Sequence, residues 1–252
     1  MKNQIIIITQ ARIGSSRFPE KVLKKLGRST LLGTHLQRLK RSKKAHKIII
    51  AAANELRSKE IENIAKQEEV DFIVGSTEDL LDRYYQIAKI YKPDLIIRVT
   101  SDCPLVDPLL IDKIIEMAEV NNLDYASNTL MESFPDGQDI EIFSFETLQT
   151  AWNEATLYSE REHVTPFIKK NCDFNQGSLF KAMNYVSDKN YNKVRMTVDE
   201  PVDLEAISII IKKLGSDKDW LTYTNFILEN SKNFKNQEII RNEGYLKSLK
   251  LD

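Results

Sequence analysis

Apolar and polar positions along this chain follow two rhythms in turn. Four consecutive isoleucines at 5–8 are too uniformly apolar for an edge strand and read as a buried parallel one. The stretch 30–41 then sets Leu31, Leu32, His35 and Leu39 on one helical face. Strand-like runs follow at 48–51, 72–74 and 95–99. Between them lie helical stretches opening at Ser58 and at the cap-like Ser76-Thr77-Glu78-Asp79, and Pro108 after Asp107 starts another helix. This alternation predicts an α/β chain with right-handed crossovers and a parallel sheet covered on both faces.

After Tyr125 the rhythm changes. Residues 124–128 and 140–143 are strand-like around a turn-rich 133–137. Helices are predicted over 144–154 and 159–170, the second with a capping box in Ser159-Glu160-Arg161-Glu162. A last strand is expected at 194–198, and amphipathic helices run from 202 to 252. The sheet should gain an antiparallel strand or two. No repeat or linker interrupts the 252 residues, so one domain is expected.

The first strand empties into Gln10-Ala11-Arg12-Ile13-Gly14-Ser15-Ser16-Arg17-Phe18-Pro19-Glu20-Lys21. Ligands bind where such loops leave the carboxyl ends of parallel strands. Gly14 permits close backbone approach, Ser15 offers a hydroxyl, and Arg12, Arg17 and Lys21 supply charged donors suited to polyphosphate. The pattern is neither a Walker A loop nor GxGxxG, and a solvated basic loop would have the same composition.

Two acids follow strands. Asp102 stands in Thr100-Ser101-Asp102-Cys103-Pro104, and Asp199 in Thr197-Val198-Asp199-Glu200-Pro201. Either alone reads as a helix cap. Together, on the rim that carries the cationic loop, they suit a Mg²⁺ ion bridging phosphate oxygens. Asp203 reads as a first-turn acid placed by the helix dipole, and His35 and His46 carry no site argument.

Composition narrows the partners. Thirty-six Lys and Arg against 37 Asp and Glu leave a net charge of −1, which speaks against nucleic-acid binding. No apolar run reaches the roughly 18 residues of a membrane span. The first strand leaves no room for a secretory leader, so a cytoplasmic protein is expected. Cys103 and Cys172 are too few for a disulfide framework or zinc site.

The loop, continued through Val22-Leu23, resembles the opening signature of the cytidylyltransferase family. The likeness extends through Gly75-Ser76-Thr77-Glu78-Asp79, Asp102-Cys103-Pro104, Phe134-Pro135-Asp136-Gly137-Gln138-Asp139, Ser159-Glu160-Arg161-Glu162-His163 and Asn242-Glu243-Gly244-Tyr245-Leu246. It implies a nucleotide-diphospho-sugar transferase fold of the glycosyltransferase-A type, Rossmann-like, with a mixed, mostly parallel sheet. It also implies CTP as donor, Mg²⁺ as cofactor, a sugar or sugar-acid acceptor and a homodimer, with 130–190 as the acceptor-binding or dimerisation region. By the same resemblance Arg12, Arg17 and Lys21 hold the triphosphate, with Ala11 and Gly14 lending backbone. Ser76 borders the nucleoside, and Asp102 and Asp199 bind the metal. Gln138, Asp139, Arg161 and His163 form the expected acceptor side. Glu20 and Ser101 stand where glycine is frequent. A nucleotidyltransferase for sugar or polyol phosphates, a glycosyltransferase and an inert nucleotide binder are the rival readings. The glycosyltransferase is disfavoured because neither aspartate lies in an Asp-x-Asp motif.

Overall fold

The computed structural model describes residues 4–252. The strands are β1 (Ile5–Ala11), β2 (Lys25–Leu26), β3 (Ser29–Thr30), β4 (Lys47–Ala53), β5 (Asp71–Gly75), β6 (Leu95–Thr100), β7 (Tyr125–Ser127), β8 (Glu141–Ser144) and β9 (Ala182–Asn184). The α-helices are α1 (Leu31–Leu39), α2 (Ser58–Gln67), α3 (Leu80–Tyr91), α4 (Pro108–Asn121), α5 (Phe145–Glu154), α6 (Tyr158–His163), α7 (Pro166–Asn171), α8 (Pro201–Leu214), α9 (Trp220–Glu229) and α10 (Glu243–Ser248).

A seven-stranded sheet runs β5-β4-β1-β6-β8-β7-β9, with β2 and β3 forming a separate hairpin. The first four strands pair in parallel, as the β-α alternation requires, and β8 runs antiparallel to both β6 and β7. Alternation along β1 sends Ile6 and Ile8 under α3 and α5, and Ile5 and Ile7 under α4. Each buried isoleucine contributes roughly 1.5–3 kcal/mol, so the strand is fixed independently of the charged loop at its end. The chain belongs to the expected class: a mixed, mostly parallel sheet between helical layers.

Two local expectations fail. Residues 194–198 form no sheet strand. Their backbone makes one isolated parallel bridge, through Asp136 N–H to Val194 O (2.8 Å) and Met196 N–H to Asp136 O (2.7 Å), and Val198 N–H donates to Asp102 O (2.8 Å) in a turn. The helix expected over 159–170 is two helices, broken at Val164, whose φ of 70° cannot continue a helix. Its cap is also displaced. Leu157 is the N-cap residue, and the Glu160 carboxylate accepts from the Thr156 and Leu157 N–H groups (3.2 Å each). Glu162, freed from capping, faces a cavity.

The register pairs Gln10 of β1 with Thr100 of β6, so the loops leaving these strands emerge side by side. The cavity opens there.

Candidate active site

Beyond Ala11 the chain turns on itself, Ser15 N–H and Glu20 N–H both donating to Ile13 O (2.9 and 3.0 Å). Glu20 takes a left-handed backbone, φ 60°, at a position where the resemblance leads one to expect glycine. One 3₁₀ turn follows. It buries Val22 against α1 and α2 and aims Lys21 into a cavity of about 950 Å³. Arg12, Ser15 and Arg17 line the same wall.

The Lys21 ammonium lies 2.9 Å from Asp102 Oδ2, 2.9 Å from Asp199 Oδ1 and 2.9 Å from Val198 O. Burial opposes its charge, but the two aspartates outweigh that and hold its pKa above the ordinary lysine value. Burial likewise disfavours the Asp102 carboxylate, and Lys21 overrides it, holding the acid well below its usual range.

Asp102 is fixed from behind. Buried His35 donates from Nδ1 to Cys103 O (2.9 Å) while its Nε2 lies 3.0 Å from Thr9 Oγ1, clamping the turn that carries the acid. Asp199 reaches Asp102 through the Val198-to-Asp102 backbone bond rather than through sheet membership. Three cations surround it: Lys21, Arg17 (3.0 Å) and Arg195 (3.2 Å). Buried Asp203 shapes its turn, accepting from the Asp199 and Glu200 N–H groups (2.9 and 3.0 Å) and from Arg195.

Beside the cavity, buried Glu141 gathers Arg98, Lys169 Nζ (2.9 Å), Thr165 Oγ1 (2.7 Å) and Tyr125 OH (2.7 Å). His163 lines the cavity, its pKa lowered to about 4 by burial and by Arg98, so it is neutral near pH 7. Asp139 lines it too, paired with Arg241, and burial pushes its carboxyl upward.

Other expected site residues do not reach the cavity. Gly14 and Ile13 donate their N–H groups to Glu55 Oε2 (3.0 and 2.7 Å), and a Cβ at Gly14 would lie 2.9 Å from Glu55 Oε1. Ser76 Oγ accepts from Asp79 N–H (3.0 Å), while its neighbours Thr77 and Glu78 line the wall. Gln138 is buried, bridging Asp107 N–H (2.9 Å) and Leu105 O (2.9 Å). Arg161 turns toward α3, donating to Asp79 Oδ2 (2.8 and 2.6 Å) and to Trp152 O (3.0 Å).

His35, Arg98 and Arg195 escaped the sequence reading. Arg98 and Arg195 carried a signal: each is a lone cation inside an apolar run.

The hard oxygens of Asp102 and Asp199 already converge on one cationic group, which is the chemistry a divalent ion needs. Among the described residues no group of three or more His, Cys, Asp or Glu is placed to hold a metal. A cation here would therefore take the rest of its ligands from phosphate and water.

The cytidylyltransferase family profile matches residues 6–240. The chain belongs to the cytidylyltransferase family. It is 39% identical over 207 residues to the uncharacterized protein MJ1063 of Methanocaldococcus jannaschii, covering 80% of this chain and 81% of that one. It is 30% identical over 224 residues to the spore coat polysaccharide biosynthesis protein SpsF of Bacillus subtilis, covering 86% and 90%. The solved cytidylyltransferase of Leptospira borgpetersenii superposes with a TM-score of 0.86 at 33% identity, over 96% of this chain and 100% of that one. A CMP:2-keto-3-deoxy-manno-octonic acid synthetase complexed with CTP shares the fold, with a TM-score of 0.63 at 15% identity over 83% and 99%. As a cytidylyltransferase, the chain is a CTP-dependent nucleotidyltransferase. Among the described residues no helix is long and apolar enough to cross a membrane.

Proposed function

We propose that this cytidylyltransferase moves CMP from CTP to an oxygen of a sugar or sugar-acid acceptor, releasing pyrophosphate, in the making of a surface polysaccharide. One observation carries the reading: Lys21 stands 2.9 Å from both Asp102 and Asp199 on a cavity wall shared with Arg12 and Arg17. Cations for a polyphosphate and acids for a counter-ion thus meet at one point. The acceptor class is supported by the relatives' names and by the polar lining of the cavity, where His163, Asp139, Arg98 and Lys169 offer donors and acceptors to a hydroxylated ligand.

The acceptor oxygen bonds to the α-phosphorus as the bridge to the β-phosphate breaks. The electron pair leaves on pyrophosphate, and the acceptor proton, where there is one, passes to solvent. Arg12, Arg17 and Lys21 neutralise the departing phosphates, and the cavity holds the acceptor in line, so positioning and charge supply the acceleration. Asp102 and Asp199 would hold Mg²⁺, which when bound withdraws charge from the phosphate oxygens.

Pyrophosphate release should be measured with CTP, ATP, GTP and UTP in magnesium, against a panel of sugar acids, sugars and sugar phosphates. Release with CTP alone, dependent on one acceptor class, is the expected outcome. Turnover of a nucleotide sugar, or binding of CTP with no release across a broad panel, would favour the glycosyltransferase or the inert binder.

A further inference from the structure

The closing residues of the chain line the same cavity. Arg241 anchors them through Asp139 and, at 3.3 Å, Glu132. Asn242, φ 61°, turns the chain, and α10 then runs beside α6, with Tyr245 edge-on to His163 at 5.3 Å. Asp252 ties down the end, accepting from Ser159 N–H and Oγ (2.7 Å each). From this helix Glu243 reaches the nucleotide loop. Its Oε2 lies 3.2 Å from Arg17 Nη1, while Arg17 Nη2 lies 3.0 Å from Asp199 Oδ1.

Arg17 therefore carries two carboxylates on the side chain meant for phosphate. The contact with Glu243 is the weaker. Both side chains are partly exposed, 28% and 38%, and water screens such a pair. Glu243 also keeps a partner of its own, with Oε1 2.7 Å from Lys247 Nζ on the same helix, so losing Arg17 strands no charge. A polyphosphate would offer the guanidinium a forked, doubly charged contact, which is the stronger bond.

We propose that Glu243 is a positioning residue that competes with the nucleoside triphosphate for Arg17, so that the C-terminal helix sets how tightly nucleotide binds. This rests on reading the loop as a triphosphate site. On nucleotide binding Arg17 leaves Glu243 for phosphate, and Glu243 falls back on Lys247.

The test is a double-mutant cycle read by calorimetry. CTP and, separately, inorganic pyrophosphate are titrated in magnesium chloride into the wild type, Glu243→Gln, Arg17→Ala and the double variant, with melting curves confirming folding. Glu243→Gln should bind both probes about two- to fivefold more tightly, the span a screened ion pair allows. In the Arg17→Ala background the same substitution should change nothing. Equal tightening in both backgrounds would mean that the helix had merely loosened, and unchanged or weaker binding would likewise overturn the competition. Pyrophosphate responding while CTP fails to bind would keep the competition and sink the cytidylyl reading. Neither probe binding would sink both.

Discussion

Arg161 has partners that its residue type does not announce. An exposed-looking arginine among acids and a histidine suggests an anion site, yet its guanidinium fastens α6 to the Asp79 cap of α3 and to the end of α5. Arg161→Ala should therefore cost roughly 1–3 kcal/mol in denaturant unfolding, the range for stranding hydrogen-bonded partners, and leave the acceptor KM near wild type. A raised KM with unchanged stability would restore it to the acceptor site. The opposite holds for Lys21→Ala, Asp102→Asn and Asp199→Asn. Each should lower kcat by about 10²-fold or more, as removing a preorganised charge does, with circular dichroism showing an intact fold. Near-normal pyrophosphate release by any of them would remove that residue from the site. His35 acts from behind. Burial lowers its pKa to about 4, so the native ring stays neutral while an unfolded chain takes up a proton below about 6.5. The unfolded state then binds more protons, and stability falls as the pH drops from about 6.5 to 4, by up to roughly 1.4 kcal/mol per unit for one group. His163 is lowered in the same direction and adds to the slope. His35→Gln should melt lower at pH 7.5 but lose less between pH 6.5 and 4.5. Parallel melting curves for the two proteins would contradict this.

Among the elements, those with a single rhythm were legible and those held by turns were not. The span of α2, the Asp107 cap with Pro108 on α4 and the Ser144 cap on α5 all follow from local patterns that tertiary contacts do not oppose. Residues 194–198 look like a strand because Val194, Met196 and Val198 alternate inward. Their alternate residues pack against α8 and α9, while the backbone bonds to Asp102 and Asp136. The meeting of Asp102 with Asp199 was therefore foreseen, but through the wrong element. Gly137 makes the contact possible. At φ 101°, an added Cβ would lie 2.7 Å from the Met196 carbonyl carbon and 2.8 Å from Thr197 N. Gly137→Ala should push this segment away and move Asp199, costing about 2 kcal/mol or more and lowering kcat together with stability. Full activity in Gly137→Ala would show that the segment has slack the packing does not suggest.

For the whole molecule, strand order decides where the chemistry sits. Loops leaving the neighbouring parallel strands β1 and β6 share one rim, where Lys21 and Asp102 meet from about 80 positions apart, and the Val198-to-Asp102 backbone bond brings Asp199 to them. Strand-end position made Lys21 and Asp102 legible, whereas Asp199 was reached through a strand that the chain does not form. The counter-charges Arg98, Arg195 and Glu141 were not, because their pairing depends on which helix covers which face. A ligand that binds only the folded chain stabilises it, so CTP with magnesium at about 100 times its Kd should add roughly 2.7 kcal/mol. CTP after chelation should add clearly less, and equal melting shifts with and without the cation would speak against a metal held by the two aspartates. The most direct measurement is a crystal structure of the enzyme with CTP and magnesium or manganese. The expected map shows one cation between Asp102 and Asp199, touching triphosphate, with the Lys21 ammonium moved from the acids onto phosphate. A triphosphate bound elsewhere, with Lys21 still locked between the two aspartates, would contradict the account.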